Sequence, residues 1–305
     1  MSKKYTGVIP PLITPLDTRD NVDEDALRAL VEHCIAGGLH GIFVCGTNGE
    51  GVQLREGQRT RAAKIAVEQA RGRVPVICGA MDTSTRRVID NVKALEDVGC
   101  PCAAITSVYY ARHASQEESI RHFAAISRET TAELIAYNMP SMTGLAFLPA
   151  TVVRISQIER VVGYKDSGTS YGGFLQVRAE TDAAFACLMG VTDHAMSALL
   201  MGADGFVPVL APLFPRLFVA AYTAGASGDI VRARRMDALL RETSKILRAA
   251  ANMTAAAKFA ISTLGLCDPR VAAPQEGVSE AEKMCILRQI EQVRQLCAAA
   301  QEEWA

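Results

Sequence analysis

The sequence has no surplus of either charge. Its 305 residues include 32 Lys and Arg against 33 Asp and Glu, so the formal net charge is −1. A chain balanced in this way has no overall positive field that would attract nucleic acid or an anionic membrane surface. We therefore expect neither nucleic acid nor a membrane among its partners.

Long hydrophobic runs and metal-binding spacings are also missing. No stretch approaches the roughly 18 apolar residues of a membrane-spanning helix, and prolines interrupt the N-terminal segment where a secretory signal would have its apolar run. The nine cysteines contain no C-x2-C pair, and several lie inside apolar runs, as Cys45 and Cys78 do. This pattern is typical of reduced, buried thiols, so we expect a cytoplasmic protein. His113 and His194 have no partner at metal-ligand spacing, and we expect no metal site.

Apolar runs and amphipathic stretches alternate along the chain. Hydrophobic residues make up 49% and charged residues 21% of the sequence, a globular composition that excludes a disordered chain. The alternation predicts eight strands, over residues 7–16, 41–46, 74–80, 102–108, 133–138, 161–165, 184–189 and 205–210. It predicts that a helix follows each strand, and the first seven are expected over residues 23–38, 55–71, 85–99, 116–128, 149–158, 171–179 and 193–201.

Two α/β folds are compatible with such alternation. Eight strand–helix units with near-continuously apolar strands favour a closed parallel (β/α)8 barrel, the TIM barrel. An open doubly wound sheet is the rival, and it usually has fewer strands and a glycine-rich phosphate turn after its first strand. Here the first predicted strand leads into TPLDTRDN, which is no such turn. We therefore predict the barrel.

The chain remains helical after the eighth strand. Apolar residues recur at helical spacing over residues 233–251, 254–264 and 279–303. We predict a (β/α)8 catalytic barrel over residues 1–228 and a C-terminal helical domain over residues 229–305, a size compatible with a small appended domain.

Lys165 stands at the end of the sixth predicted strand, and barrel enzymes place their chemistry at the C-terminal ends of their strands. A desolvated lysine has a lowered pKa and can then attack a ketone to form a Schiff base. The structural alternative is a buried ion pair between Lys165 and Asp166. That pairing is awkward because adjacent strand residues point to opposite faces.

Other strand ends carry further candidates. Tyr137 ends the fifth strand and is a candidate general acid and base; the alternative is a core tyrosine whose hydroxyl is satisfied. Thr47 and Asn48 lie in a turn with a glycine on each side. Such a turn can form a backbone nest for an anion, but it is also common as an ordinary connecting turn. Glu50 is a candidate acid or base, but we expect its carboxylate to cap nearby backbone instead.

The motifs at four strand ends together resemble those of the dihydrodipicolinate synthase / N-acetylneuraminate lyase family. G-T-N-G-E follows the second strand, Y-Y the fourth, Y-N-x-P the fifth and G-x-K-D-S the sixth. The resemblance covers nearly the whole chain, from the opening strand to the C-terminal helices. Its motifs are specific to the family and much less specific to one substrate.

The resemblance implies a (β/α)8 barrel with a C-terminal helical domain, usually assembled as a homotetramer, and class I chemistry without a metal or organic cofactor. It implies that Lys165 forms an imine with pyruvate or another 2-oxo acid and that Tyr137 carries protons. Thr47 and Asn48 would hold the substrate carboxylate, and Thr47 would orient Tyr137. Tyr110 would complete the proton relay from across a subunit interface. Two further residues, Gly190 and Val207, would line the pocket around the imine.

Three departures from the family pattern bear on the substrate. Met142 stands where dihydrodipicolinate synthases carry an arginine for the carboxylate of aspartate semialdehyde, and a thioether cannot make that bidentate contact. The sequence Val-Thr-Asp-His after Gly190 lacks the acidic pair common in synthases, and Val108 stands where many members have proline.

We therefore predict a class I lyase that cleaves or forms a 4-hydroxy-2-oxo acid from pyruvate and an aldehyde, of the 4-hydroxy-2-oxoglutarate or 2-keto-3-deoxy sugar acid type. The first alternative is a 4-hydroxy-tetrahydrodipicolinate synthase, or a 2-keto-3-deoxy sugar acid dehydratase, that uses the same imine. The second is a binding protein that retained the fold and lost catalysis. The intact Lys165, Tyr137 and Thr47 argue against the second alternative.

Overall fold

The computed structural model of the chain describes residues 3–300, apart from the side chain of residue 56. Within that range, eight parallel strands alternate with helices. The strands are β1 (Gly7–Val8), β2 (Ile42–Val44), β3 (Val76–Gly79), β4 (Cys102–Ile105), β5 (Glu133–Asn138), β6 (Val161–Asp166), β7 (Ala186–Met189) and β8 (Gly205–Phe206). The helices are α1 (Glu24–Ala36), α2 (Glu56–Ala70), α3 (Thr85–Asp97), α4 (Gln116–Glu129), α5 (Pro140–Thr143), α6 (Pro149–Ser156), α7 (Tyr171–Glu180), α8 (Ala195–Leu200), α9 (Pro215–Ala226), α10 (Ile230–Arg248), α11 (Met253–Ser262) and α12 (Glu280–Ala299).

The strands form one sheet that closes on itself. Their order is β1-β8-β7-β6-β5-β4-β3-β2, and every strand pair is parallel. The remaining gap between β1 and β2 is bridged by backbone hydrogen bonds, from Leu12 N–H to the Phe43 carbonyl (2.8 Å) and from Phe43 N–H to the Pro10 carbonyl (3.1 Å). The predicted (β/α)8 barrel is confirmed.

The first strand is shorter than the predicted run of residues 7–16. Pro10 and Pro11 have no backbone N–H, so they cannot continue a regular ladder of hydrogen bonds. Bridge pairing beyond Val8 therefore reduces to two isolated bridges, Pro11 with Phe43 and Leu16 with Val22. The segment still follows the barrel wall, which is why the sheet closes there.

The seven placed helices agree closely with the structure, and side-chain caps mark where several of them begin. Asp23, Ser84 and Ser115 each accept a hydrogen bond from the backbone at the start of α1, α3 and α4. The eighth helix, α9, had no predicted range, and the one-turn α5 was not predicted. The last predicted helix, over 279–303, begins as expected but ends at Ala299, and its residues 301–303 lie outside the described part of the chain.

Two groups of buried apolar side chains stabilise the barrel. One fills the barrel interior and includes Phe43, Tyr137 and Val207. The other lies between the strands and the helices, and it runs without a break from Leu27 on α1 to Ile290 on α12. The C-terminal helices therefore share a core with the barrel, and a domain boundary at residue 228 remains a prediction. Within residues 3–300, no helix has the length and apolar character needed to cross a membrane.

Candidate active site

Lys165 projects from β6 into the barrel interior. It is opposite Tyr137 in the register of β5 and β6, and its Nζ lies 3.8 Å from the centre of the Tyr137 ring and 4.8 Å from that of Phe43. The predicted alternative, an ion pair with Asp166, does not form. Asp166 instead accepts hydrogen bonds from Asn138 Nδ2 (2.9 Å) and from the Gly168 N–H (2.8 Å).

Burial and mutual contact perturb both titrating groups. Burial lowers the pKa of Lys165 below its ordinary value, and the neighbouring Tyr137 opposes only part of this effect. Burial alone would raise the pKa of Tyr137, but the charge of Lys165 and hydrogen bonds with Thr47, Lys165 and Ser167 outweigh it, so the pKa of Tyr137 is lowered. The pair therefore combines a nucleophilic amine with a phenol that gives up its proton readily.

The Thr47 turn is held in an unusual backbone conformation. Cys45, just before it, has φ of +54°, which non-glycine residues rarely adopt. A Cβ atom at Gly51 or at Gly79 would overlap the Cys45 carbonyl oxygen, so both positions require glycine. This packing fixes where Thr47 lies, and Thr47 Oγ1 is 3.3 Å from the Tyr137 hydroxyl oxygen.

The same turn presents free backbone donors. In the part of the chain that the structure describes, the N–H groups of Thr47 and Asn48 make no hydrogen bond. Successive unpaired N–H groups in a turn form a nest that suits an anion such as a carboxylate. This is the arrangement expected for Thr47 and Asn48, although their role stays a prediction.

Gly190 and Val207 lie close to this group. Val207 belongs to the interior cluster that contains Tyr137. A Cβ atom at Gly190 would overlap Ser167 Oγ and crowd the Asp166 carbonyl, so glycine is required for the close approach of β6 and β7. Sequence reasoning did not assign a role to Ser167 or to Phe43. Ser167 could have been found, since it follows Lys165 by two positions in the G-x-K-D-S motif.

The structure separates the two adjacent tyrosines. Tyr109 lines a cavity beside Thr47, whereas Tyr110 is 97% exposed and has a φ of +66°. Tyr110 is thus not brought to Lys165 within one chain. Its predicted role depends on a second subunit and stays a prediction.

The cavity beside Thr47 has a volume of about 620 Å³. Thr47 is the wall residue that connects it to Tyr137 and Lys165. The described residues that line it are uncharged: Thr47, Val52, Gln53, Met81, Thr106, Tyr109, Met139, Met142, Thr143, Ala251, Asn252, Met253, Thr254 and Gln275. Met142, singled out as a departure from the family pattern, is therefore part of the wall. The residues from Ala251 onward show that the C-terminal segment forms part of the wall.

A buried ion pair fastens that segment to the barrel. The side chains of Glu50 and Lys258 are both 0% exposed and form a salt bridge. Glu50 Oε1 also accepts a hydrogen bond from the Ala272 N–H (2.7 Å), and Lys258 Nζ donates to the Arg270 carbonyl (2.6 Å). Glu50 thus caps backbone as expected, but the backbone is distant in sequence, and the partner Lys258 was not foreseen.

These features define the class of the protein: a (β/α)8-barrel enzyme with a desolvated lysine, a partnered tyrosine and a turn with unpaired N–H groups at the C-terminal ends of its strands. The model of the dihydrodipicolinate synthetase family matches residues 4–293. The chain belongs to this family, as its motifs had indicated, and is an enzyme of the Schiff-base-forming carbon–carbon lyase type.

Individual relatives agree with this assignment. The chain is 35% identical over 283 residues to a protein of Phenylobacterium zucineum named 4-hydroxy-tetrahydrodipicolinate synthase, covering 93% of this chain and 95% of the relative. The structure of the 4-hydroxy-tetrahydrodipicolinate synthase of Methylacidiphilum fumariolicum SolV superposes with a TM-score of 0.92 at 27% identity, covering 99% of this chain and 100% of that one. The dihydrodipicolinate synthase of Acinetobacter baumannii, solved with pyruvate, gives a TM-score of 0.90 at 26% identity, with 96% and 99% covered.

The names of these relatives bear on the predicted reaction. They favour the synthase alternative over the 4-hydroxy-2-oxo acid lyase that the sequence analysis placed first. Both activities use the Schiff-base lyase chemistry of the family. The comparisons support this shared chemistry.

Proposed function

We propose that the protein is a pyruvate-dependent class I lyase in which Lys165 forms the Schiff base. The observation that carries the proposal is the buried Lys165 amine, with its lowered pKa, beside the Tyr137 hydroxyl. The neutral amine attacks C2 of pyruvate or a 2-oxo acid to give a carbinolamine. Its hydroxyl leaves as water after taking a proton from Tyr137, and the nitrogen lone pair forms the protonated imine. That imine withdraws electrons from C3, so the carbanion formed when the C3–C4 bond breaks becomes an enamine.

Tyr137 and the Thr47 turn supply the rest of the mechanism. In cleavage, Tyr137 accepts the proton of the C4 hydroxyl as the aldehyde departs, and in condensation it returns that proton. Thr47, 3.3 Å from the Tyr137 hydroxyl, orients it. The free N–H groups of Thr47 and Asn48 hold the carboxylate and so fix C2 near the amine. Gly190 and Val207 border the imine, and no metal or organic cofactor takes part in these steps.

For the aldehyde partner, the proposal is a molecule without a carboxylate at the position of Met142. This corresponds to an aldolase of the 2-keto-3-deoxy sugar acid type, since the 4-hydroxy-2-oxoglutarate type would need a carboxylate-bearing aldehyde there. The described cavity wall contains no charged side chain. A carboxylate buried there would lack a counter-charge, and such desolvation is costly. Met142 offers a thioether where a guanidinium would be needed.

The second candidate is a 4-hydroxy-tetrahydrodipicolinate synthase that condenses pyruvate with aspartate semialdehyde. The names of full-length relatives at 31–35% identity support it. One cationic side chain also lies near the cavity, since Arg112 packs against Gly144, next to Thr143 of the wall. A carboxylate at the rim of the cavity could reach this guanidinium.

We further propose that the active unit is an oligomer, a homotetramer by family resemblance, in which Tyr110 enters the site of a neighbouring subunit. Its support is the almost complete exposure of a large aromatic side chain in a strained backbone conformation.

The experiment is borohydride reduction in the presence of pyruvate, followed by intact mass and peptide mapping. We expect one pyruvate-derived adduct per chain, located on Lys165, and no adduct on a Lys165→Ala variant with unchanged circular dichroism. A folded wild-type protein that gives no adduct, or gives one elsewhere, contradicts the proposal.

The same preparation then separates the two candidates. If the protein is an aldolase, the wild-type protein should condense pyruvate with uncharged hydroxyaldehydes faster than with aspartate semialdehyde. Met142→Arg should then shift the preference toward the semialdehyde. Faster wild-type turnover of aspartate semialdehyde would establish the synthase instead.

A further inference from the structure

We propose that Asn252 and Gln275 form a hydroxyl-binding subsite for the aldehyde half of the substrate. Both residues belong to the C-terminal segment and line the same cavity as Thr47. The inference rests on the proposed function and makes it more specific, because it selects hydroxylated aldehydes over simple alkyl ones. It also makes the C-terminal segment part of the active site.

The orientation of both amides follows from one helix cap. Asn252 Oδ1 accepts hydrogen bonds from the Thr254 N–H (3.0 Å) and the Ala255 N–H (3.1 Å) at the start of α11. Since the oxygen of Asn252 faces these donors, its Nδ2 faces Gln275 and donates to Gln275 Oε1 (3.1 Å). The Gln275 Nε2 must then point away from Asn252. It carries two N–H groups for which the described residues offer no acceptor.

The subsite is held rigidly relative to the imine site. Gln275 N–H donates to the Ala272 carbonyl (3.0 Å), and the Ala272 N–H donates to Glu50 Oε1 (2.7 Å). Glu50 in turn closes the catalytic turn, because its N–H donates to the Thr47 carbonyl (3.1 Å). A short chain of hydrogen bonds thus joins the amide donor to the carboxylate nest. Preorganised donors of this kind lose little entropy when a ligand binds.

The surroundings define the chemical class of the ligand. The free donors of the half-buried Gln275 favour an oxygen acceptor, and Thr254 belongs to the same wall. The rest of this region is apolar, with Met253 and Met142 among its residues. Such a surface suits a short, uncharged hydroxyaldehyde whose hydroxyl meets Gln275, and not a second carboxylate.

The test compares two aldehydes of equal chain length, glyceraldehyde and propionaldehyde, in condensation with pyruvate. We expect the wild-type protein to prefer glyceraldehyde. The variant Gln275→Met keeps the length of the side chain but removes the donors, and it should lower kcat/KM for glyceraldehyde about tenfold. Turnover of propionaldehyde and borohydride trapping of pyruvate should not change.

Asn252→Ser preserves the helix cap while releasing Gln275, so it should have a smaller effect in the same direction. Gln176→Met, on the exposed face of α7, is the matched control.

The outcomes separate the two proposals. The wild-type protein could trap pyruvate but show no preference for glyceraldehyde, or condense neither aldehyde. Either result would refute the subsite proposal and leave the proposed Schiff-base function intact. Equal losses for both aldehydes in Gln275→Met, or no loss for either, also overturn the subsite. Absence of any pyruvate adduct in folded wild-type protein refutes the proposed function itself.

Discussion

The Lys165–Tyr137 pair is the smallest unit that explains the proposed chemistry. Each group changes the protonation of the other, because they are buried together and their polar atoms interact. The side chain of Tyr137 counteracts part of the effect of burial on Lys165. Removing the hydroxyl therefore affects the lysine as well as the proton relay.

This coupling predicts an unusual pH response in Tyr137→Phe. The hydroxyl raises the pKa of Lys165, so its removal should lower that pKa further. Since the neutral amine is the nucleophile, the rise of the imine-formation rate with pH should move to lower pH. Carbon–carbon turnover should nevertheless fall about 100-fold or more, as a general acid–base group is lost. Rapid-quench borohydride trapping across pH measures the first effect and steady-state turnover the second.

Thr47→Val is the control for this experiment. It removes the hydrogen bond to Tyr137 and leaves the phenol in place, so the pH midpoint should move less than in Tyr137→Phe. A midpoint that rises in Tyr137→Phe, or normal turnover by that variant, would exclude the assigned proton-transfer role.

Strand-end position made Lys165, Tyr137 and Thr47 candidates, because barrel topology brings strand ends together, and the family resemblance supplied their predicted roles. Phe43 was missed for a physical reason. An aromatic residue within an apolar strand has the same pattern whether it fills the core or borders a reactive amine. Only the register of the closed barrel places its ring 4.8 Å from Lys165 Nζ.

At the scale of elements, the contact between the β2 turn and α11 depends on one buried ion pair. Glu50 and Lys258 come from opposite ends of the chain and are both fully buried. A buried pair contributes little net stability compared with an apolar pair, but one partner left alone is strongly destabilising. The pair therefore favours a single arrangement of the C-terminal segment over the barrel.

We expect Lys258→Met to lower the free energy of unfolding by about 3–5 kcal/mol, since it leaves the Glu50 carboxylate buried without a counter-charge. The double variant Glu50→Gln, Lys258→Met should lose less than the sum of the two single losses. Urea unfolding followed by circular dichroism measures this cycle. Lys245→Met, which breaks the more exposed Glu242–Lys245 pair, should cost under about 1 kcal/mol. Additive losses at Glu50 and Lys258 would show that the two residues are not coupled.

At the scale of the whole molecule, the exposure of Tyr110 supports the proposal that a second subunit completes the site. Its side chain projects almost fully into solvent, and Val52 and Met142 at the cavity are also exposed. Exposed apolar residues grouped near a site mark an interaction surface. A second copy of the chain that covers them is the arrangement expected from the family.

Subunit complementation tests this arrangement. Tyr110→Ala and Lys165→Ala should each be nearly inactive alone. Mixed and allowed to exchange subunits, they should recover about a quarter of wild-type activity, because half of the symmetric pairs are mixed and each contains one complete site. Sedimentation of the wild-type protein should show an assembly larger than the monomer. A monomeric active protein, or a mixture without recovery, would contradict a shared site.

The sequence by itself determined the barrel and the chemical identity of its strand ends. Hydrophobic periodicity and caps are local signals, and the parallel topology then forces strand ends into one region. Only the tertiary structure decided which side chains face that region from elsewhere. The cavity wall of Asn252 and Gln275, the Glu50–Lys258 pair and the separation of Tyr109 from Tyr110 all depend on contacts between distant segments or on a local φ above zero. No periodic pattern encodes such contacts, because they arise from the packing of whole elements against one another.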